Sequence, residues 1–367
     1  MNKLQSLTVL RGVAATNVIF YHIMVPTGHA LGEFGVDIFF VLSGFVIALV
    51  LDTPHITAQR FLSDRIARIV PLYWVLTLVV LAGTLIAPSL FNSTTASFGN
   101  LLKSLFFIPY RKESGFIFPM LFVGWTLNYE MMFYVVAAIS LILMRRYRLL
   151  FASALILVIF VAANASRSHG AIAEFYSLQR IFEFPLGFVV YRLWNRGLRI
   201  KPALAGGMAV AAYTWMAYVS WNALSDSHLL YFGVPAFLLV ACSLSLESTM
   251  GSGPLTKGAI FVGDASYAIY LSHPYCVEAA RKLLTSAIDG VDATGPVAVT
   301  MIIIVATAVG GALYWFVDRP LHRSARRLLQ SVPAIRLRGA SLAGFNHTLM
   351  TADDQTARNV PVNQDTR

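Results

Sequence analysis

Two residues of the first apolar stretch, Arg11 and His22, carry ionisable side chains where hydrocarbon makes them costly. A charged group near the centre of a membrane helix costs roughly 2.5–3.5 kcal/mol on insertion scales, so such residues line polar cavities or pathways. Their separation along a helix, at about 1.5 Å rise per residue, is roughly 16 Å, which puts one group in each half of a bilayer. The spacing predicts a site that reaches across the membrane.

Further ionisable side chains interrupt later apolar runs: Asp37, Glu130, Arg180, Glu183 and His273. His22 lies about one turn from the outer end of its run, and Asp37 opens the next run after a short turn, at similar depth. A direct hydrogen bond between them is expected. A carboxylate that holds one ring nitrogen as a donor leaves the other free to take a proton from a hydroxyl nucleophile. Glu130 falls near the midplane. Arg180 and Glu183, three residues apart, read either as a self-neutralising pair or as part of the site. His273 precedes Pro274 and marks either a helix end at the interface or a site residue.

On the other side of the bilayer, Arg65 and Arg68 share one helix face. Two guanidinium groups so spaced can hold phosphate oxygens through forked, charge-assisted bonds, with Arg11 extending the patch inward. Cytoplasmic placement of basic residues accounts for the same pair without any ligand. Trp125, Tyr129, Tyr134 and Tyr267 offer ring faces for stacking on sugars, or simply belong to the core and the interfacial belt.

The elements that must position these groups are transmembrane helices. Of 367 residues, 57% are hydrophobic and 13% charged. Ten apolar runs follow one another at residues 7–25, 35–51, 70–87, 120–144, 149–163, 174–194, 204–221, 229–246, 259–276 and 296–317. Their length and continuity exclude barrel strands, which would alternate over about ten positions. The expected fold is an all-α integral membrane bundle of about ten transmembrane helices with no extra soluble domain.

Twenty Lys and Arg residues fall in one set of alternate connections and the tails, against six in the other set. Both termini are therefore expected in the cytoplasm. The net charge of +10 then reads as an orientation signal and contact with anionic lipid, not as a nucleic-acid footprint. Arg11 interrupts the first apolar run, so a cleavable leader is not expected. Cys242 and Cys276, in separate runs, read as core residues. Leu321 to Gln330 suits a short surface helix, and the chain from about Arg338 has the composition of a disordered tail. The Asn346-His347-Thr348 sequon in that tail carries little weight.

Five ordered blocks resemble the membrane acyltransferase 3 family. They are Leu10-Arg11-Gly12 running to His22; Gly35-Val36-Asp37-Ile38-Phe39-Phe40-Val41-Leu42-Ser43-Gly44-Phe45; and Arg65-Ile66-Ala67-Arg68 with Pro71 and Tyr73. The last two are Trp125-Thr126-Leu127-Asn128-Tyr129-Glu130 with Phe133 and Tyr134, and Ser266-Tyr267-Ala268-Ile269-Tyr270-Leu271-Ser272-His273. The resemblance covers residues 4–322 and divides the chain into a transmembrane acyltransferase domain, 1–322, and a basic cytoplasmic tail, 323–367.

It implies transfer of an acyl group, usually acetyl, from acyl-CoA to a sugar hydroxyl outside the bacterial inner membrane, with no metal. On that footing His22 is the base or acyl relay, supported by Asp37 and Glu130. Arg11, Arg65 and Arg68 bind the CoA, while Trp125, Tyr267 and His273 meet the acceptor. Expected partners are a surface polysaccharide or its lipid-linked precursor, membrane lipids and polysaccharide assembly machinery. One departure stands out: the last helix ends in Asp318-Arg319-Pro320, where Glu before Lys-Pro is commoner. The competing class is a transporter or flippase using the buried ionisable groups as a pathway, although no repeat relates the two halves.

Overall fold

A computed structural model of the chain describes residues 4–88, 96–144, 146–224, 227–287 and 292–331. The sequon and the tail beyond Ser331 lie outside them. Continuous apolar runs leave the backbone no partner but itself in hydrocarbon, and the result is helical. In chain order come α1 (Gln5–Met24), α2 (Gly35–Leu51), α3 (Ala58–Ile86), α4 (Phe98–Leu105), α5 (Trp125–Leu143), α6 (Arg148–Ala165) and α7 (Ala171–Tyr176). They continue with α8 (Glu183–Asn195), α9 (Pro202–Trp221), α10 (Val234–Ser245), α11 (Pro254–Ala287), α12 (Pro296–Leu313) and α13 (Arg319–Ser331). No strand forms among the described residues, which hold only an isolated bridge between Arg111 and Ile117.

Five helical stretches are long and apolar enough to cross a membrane: Gln5–Thr27, Ala58–Ile86, Phe122–Leu143, Arg148–Ala165 and Pro296–Ser331. Gly35–Leu51 and Leu229–Ser245 are shorter apolar helices. The run at 174–194 is not one helix. It breaks into α7, a 3-10 turn at Gln179–Phe182 and α8, so Arg180 and Glu183 sit at the mouth of α8 instead of inside a span.

Two close crossings set the frame around the site. A Cβ on Gly263 of α11 would stand 1.8 Å from the Thr8 carbonyl oxygen of α1, so only glycine lets these backbones meet. A Cβ on Gly44 of α2 would lie 2.2 Å from the Phe184 carbonyl oxygen of α8. Large apolar side chains such as Phe45, Phe133, Phe184 and Tyr129 fill the interior between these helices.

Two prolines expected to punctuate helices do not stop them. α11 runs through Pro274, so His273 is a fully buried mid-helix residue and not a helix end. After α12 a π-helical turn at Tyr314–Asp318 carries the chain past Pro320 into α13, where a separate short surface helix was expected. The stretch Pro296–Ser331 spans 36 residues, about 54 Å at 1.5 Å per residue, well beyond a hydrocarbon core of roughly 30 Å. The basic α13 therefore projects past the apolar part.

Candidate active site

A cavity of about 610 Å³ opens between α1, α2, α3, α5, α11 and α13. It gathers Arg11, Arg65 and Arg68 as the sequence predicts, together with Glu130 and Tyr267. Arg68 donates through Nη1 to Asp318 Oδ2 at 3.0 Å and stands 5.3 Å above the ring of Tyr267. Asp318, the position where the chain departs from the family pattern, is thus the buried counterion of this arginine. The Nε atoms of Arg11 and Arg65 are buried with no hydrogen-bond partner. Glu130 accepts from Ser43 Oγ at 3.2 Å and from the hydroxyl of Tyr134. Phe39, Phe40, Thr126 and Tyr270 also line the cavity.

His22 lies one layer beyond these lining residues. Ring centroids step from Phe39 to Tyr270 at 5.9 Å, from Tyr270 to His273 at 5.7 Å and from His273 to His22 at 4.9 Å. Tyr270 is pinned in that row, its hydroxyl accepting from Thr126 Oγ1 at 3.0 Å and donating to the Val123 carbonyl at 3.1 Å. The geometry of His273 follows from the residue after it. Pro274 has no N–H, so the Tyr270 carbonyl, four residues back, loses its helical donor. His273 Nδ1 supplies the replacement at 2.6 Å. Nδ1 therefore carries the proton, and Nε2, buried without a partner, presents its lone pair. Arg281 Nη2 donates to the backbone carbonyl of His22 at 3.2 Å, at the C-terminal end of α1.

The expected bond between His22 and Asp37 does not form. Asp37 Oδ1 lies 2.5 Å from His228 Nε2 and 3.8 Å from Arg180 Nε. Arg180 reaches Glu33 Oε1 at 2.5 Å and His228 Nε2 at 2.7 Å, and it covers the face of Trp125 at 5.2 Å. Nor do Arg180 and Glu183 simply neutralise each other: Glu183 Oε1 faces His228 Nε2 at 3.6 Å. The reason is the broken run, which frees Arg180 to turn toward the α1–α2 connection. His228 eluded the sequence reading because it falls one residue before the apolar run at Leu229, in what looked like a loop.

Asp37 and Glu183 are both fully buried. Asp37 Oδ2 and both oxygens of Glu183 receive no hydrogen bond from any other described side chain, and the two carboxyl groups bond to each other. With Glu33 nearby, three carboxyl groups stand around one guanidinium and one imidazole. The donor atoms of Asp37, Glu183 and His228 lie within 4.8 Å of one another, a set able to hold a cation, with Arg180 already supplying part of that charge.

The three residues expected to meet the acceptor are thus separated. Trp125 belongs to the Arg180 cluster, His273 pairs with His22, and Tyr267 stands among the arginines, its hydroxyl donating to the Ile69 carbonyl at 2.6 Å.

A family model described as an acyltransferase domain matches residues 4–315. The chain is 37% identical over 312 residues to the exopolysaccharide production protein ExoZ of Rhizobium meliloti (strain 1021), covering 84% of this chain and 96% of that one. It is 27% identical over 379 residues to the acyltransferase MdmB of Streptomyces mycarofaciens, covering 90% of this chain and 95% of the relative. No solved structure matches it. With a histidine pair, a cavity lined by arginines beside it and a match along most of its length, the chain belongs to the membrane acyltransferase 3 family and is an acyltransferase.

Proposed function

We propose that the protein moves an acetyl group from cytoplasmic acetyl-CoA to a hydroxyl of a sugar in a surface or exported polysaccharide, or in its lipid-linked precursor. It would do so as a protein of about ten crossings in the bacterial inner membrane, with both termini cytoplasmic. One observation carries the reading: three arginines line a cavity that ends a single aromatic layer short of two apposed histidines. The relative named for exopolysaccharide production supports a polysaccharide acceptor.

In this reading the CoA phosphates pair with Arg11, Arg65 and Arg68; the unpartnered Nε–H groups of Arg11 and Arg65 suit an anion. The thioester passes the ring of Tyr270 to reach His22. His273 Nε2, unpartnered in the structure, offers its lone pair to an N–H of the His22 ring beside it, taking the orienting part first assigned to Asp37. The remaining nitrogen of His22 takes the proton of the acceptor hydroxyl as its oxygen attacks the carbonyl carbon. The C–O bond forms, the C–S bond breaks, and the proton passes to the departing thiolate. An acyl-imidazole on His22 formed first and then attacked by the hydroxyl gives the same products. Glu130 steadies the cavity wall through Ser43 and Tyr134. Asp37 belongs to the outer cluster under Trp125, on the acceptor side.

The test is purified protein with radiolabelled acetyl-CoA and a crude glycan acceptor. Label appearing in an ester on the glycan, and absent with His22→Ala, supports the reading. Label that crosses the bilayer without forming an ester would replace it with transport.

A further inference from the structure

α13 lies beyond the matched family region, which ends at residue 315, yet two of its side chains, His322 and Arg326, line the arginine cavity. Asp318, His322, Arg326 and Gln330 recur every fourth residue and so form one stripe on the helix and its entry turn. The stripe faces the first turns of α3, where Asp64 and Arg68 are also four residues apart. The two stripes pair reciprocally: Arg68 with Asp318 at 3.0 Å, and Arg326 Nε with Asp64 Oδ1 at 2.9 Å. Gln330 Nε2 donates to the same Asp64 oxygen at 3.0 Å. Between these contacts the cavity wall holds His322 and Arg65, whose Nε is buried without a partner. Arg323 and Arg327, on the same helix, lie outside the stripe; Arg326 is itself half exposed, and what sets it apart is its place in the cavity wall and its pairing with Asp64.

We propose that α13 is a clamp for the phosphates of a nucleotide-bearing thioester: Arg326 and His322 close over the anionic end of the donor, opposite Arg65. The inference rests on the donor reading given above. Asp64 occupies Arg326 with its own carboxylate, and a phosphate, carrying more charge and more acceptor oxygens, exchanges with it. Cytoplasmic positive charge alone would make the four arginines of α13 equivalent. The clamp makes Arg326 different from Arg327, although they are neighbours in sequence.

The test uses full-length protein in nanodiscs and two probes, acetyl-CoA and acetyl-pantetheine, which lacks the nucleotide and its phosphates. Arg326→Gln is expected to weaken acetyl-CoA about tenfold, the scale of one charge-assisted contact, and to leave acetyl-pantetheine unchanged. Arg327→Gln should change neither. Retained acetyl-pantetheine affinity certifies the fold of the variant. Should Arg326→Gln fail to fold, His322→Gln is expected to give the same split at about threefold, the lower end for one hydrogen bond. Equal weakening of both probes, or no difference between the Arg326 and Arg327 variants, overturns the clamp alone. A wild-type protein that binds no acetyl-CoA overturns the donor reading and the clamp together. The split should persist in nanodiscs of purely zwitterionic lipid; confinement to anionic lipid would assign Arg326 to headgroups and overturn the proposal.

Discussion

The arginine cavity and the Asp37 cluster err in opposite directions. In the cavity wall the buried Nε atoms of Arg11 and Arg65 are donors without a partner, although Asp64 and Glu130 line the same cavity. In the Asp37 cluster the atoms without an outside donor are carboxyl oxygens, Asp37 Oδ2 and those of Glu183. One region has N–H groups to spare and the other has carboxyl oxygens to spare. An acyltransferase that takes a phosphate-bearing donor from one side and a hydroxyl-rich acceptor from the other would need that difference. The histidine pair adjoins the cavity wall through the ring of Tyr270.

The sharpest test of this division is His22→Ala. Loss of general-base or relay chemistry should lower acetyl transfer by about 10²–10⁴-fold while donor binding stays as in wild type, measured by label transfer and by titration at matched expression. A variant that loses donor binding instead would merge the histidine with the arginine cavity. Next comes Arg68→Gln, which strips Asp318, only 2% exposed, of its partner. Breaking such a pair costs at most the roughly 3–5 kcal/mol of a fully buried one, less here because Arg68 is 24% exposed. Thermal denaturation should show the loss, and Arg68→Gln with Asp318→Asn should recover part of it without recovering donor affinity.

Gly263→Ala places a methyl against the Thr8 carbonyl. It is expected to cost about 1–3 kcal/mol of stability and to lower kcat more than it raises KM for the donor, because it displaces His273 relative to His22. The smallest effect on acyl transfer should follow His228→Gln. Removing a partner from buried Asp37 is expected to lower stability by about 1–3 kcal/mol with the donor KM unchanged. A rise in donor KM there, read from initial rates, would erase the boundary between the regions.

How far the sequence carried the reading depends on the kind of feature. Apolar runs and block order were legible, because hydrocarbon imposes helix on any long apolar segment, and Arg11, Arg65, Arg68 and Glu130 do converge on one cavity. Pairings were not. Depth along a helix says which residues share a level but not which face each presents, so His22 and Asp37, at one level, point to different neighbours: His273 and His228. Proline also misled. At Pro274 the helix survives because His273 satisfies the orphaned carbonyl, and at Pro320 because a π turn precedes it. Neither compensation leaves a mark in composition. The stripe on α13 was visible as spacing, but nothing in the chain alone said that α3 would face it.

The contact of α1 with α11 at Gly12 and Gly263 acts as a ruler. From each glycine the same count of residues leads to a histidine, so the two helices, running side by side in one direction, deliver both imidazoles to one level. One residue inserted between Gly263 and His273 would swing that ring by about 100° around the helix axis and lift it about 1.5 Å. Length changes in either interval should therefore be tolerated only in matched pairs, and lineages of this enzyme should drift in side chains there far more readily than in count.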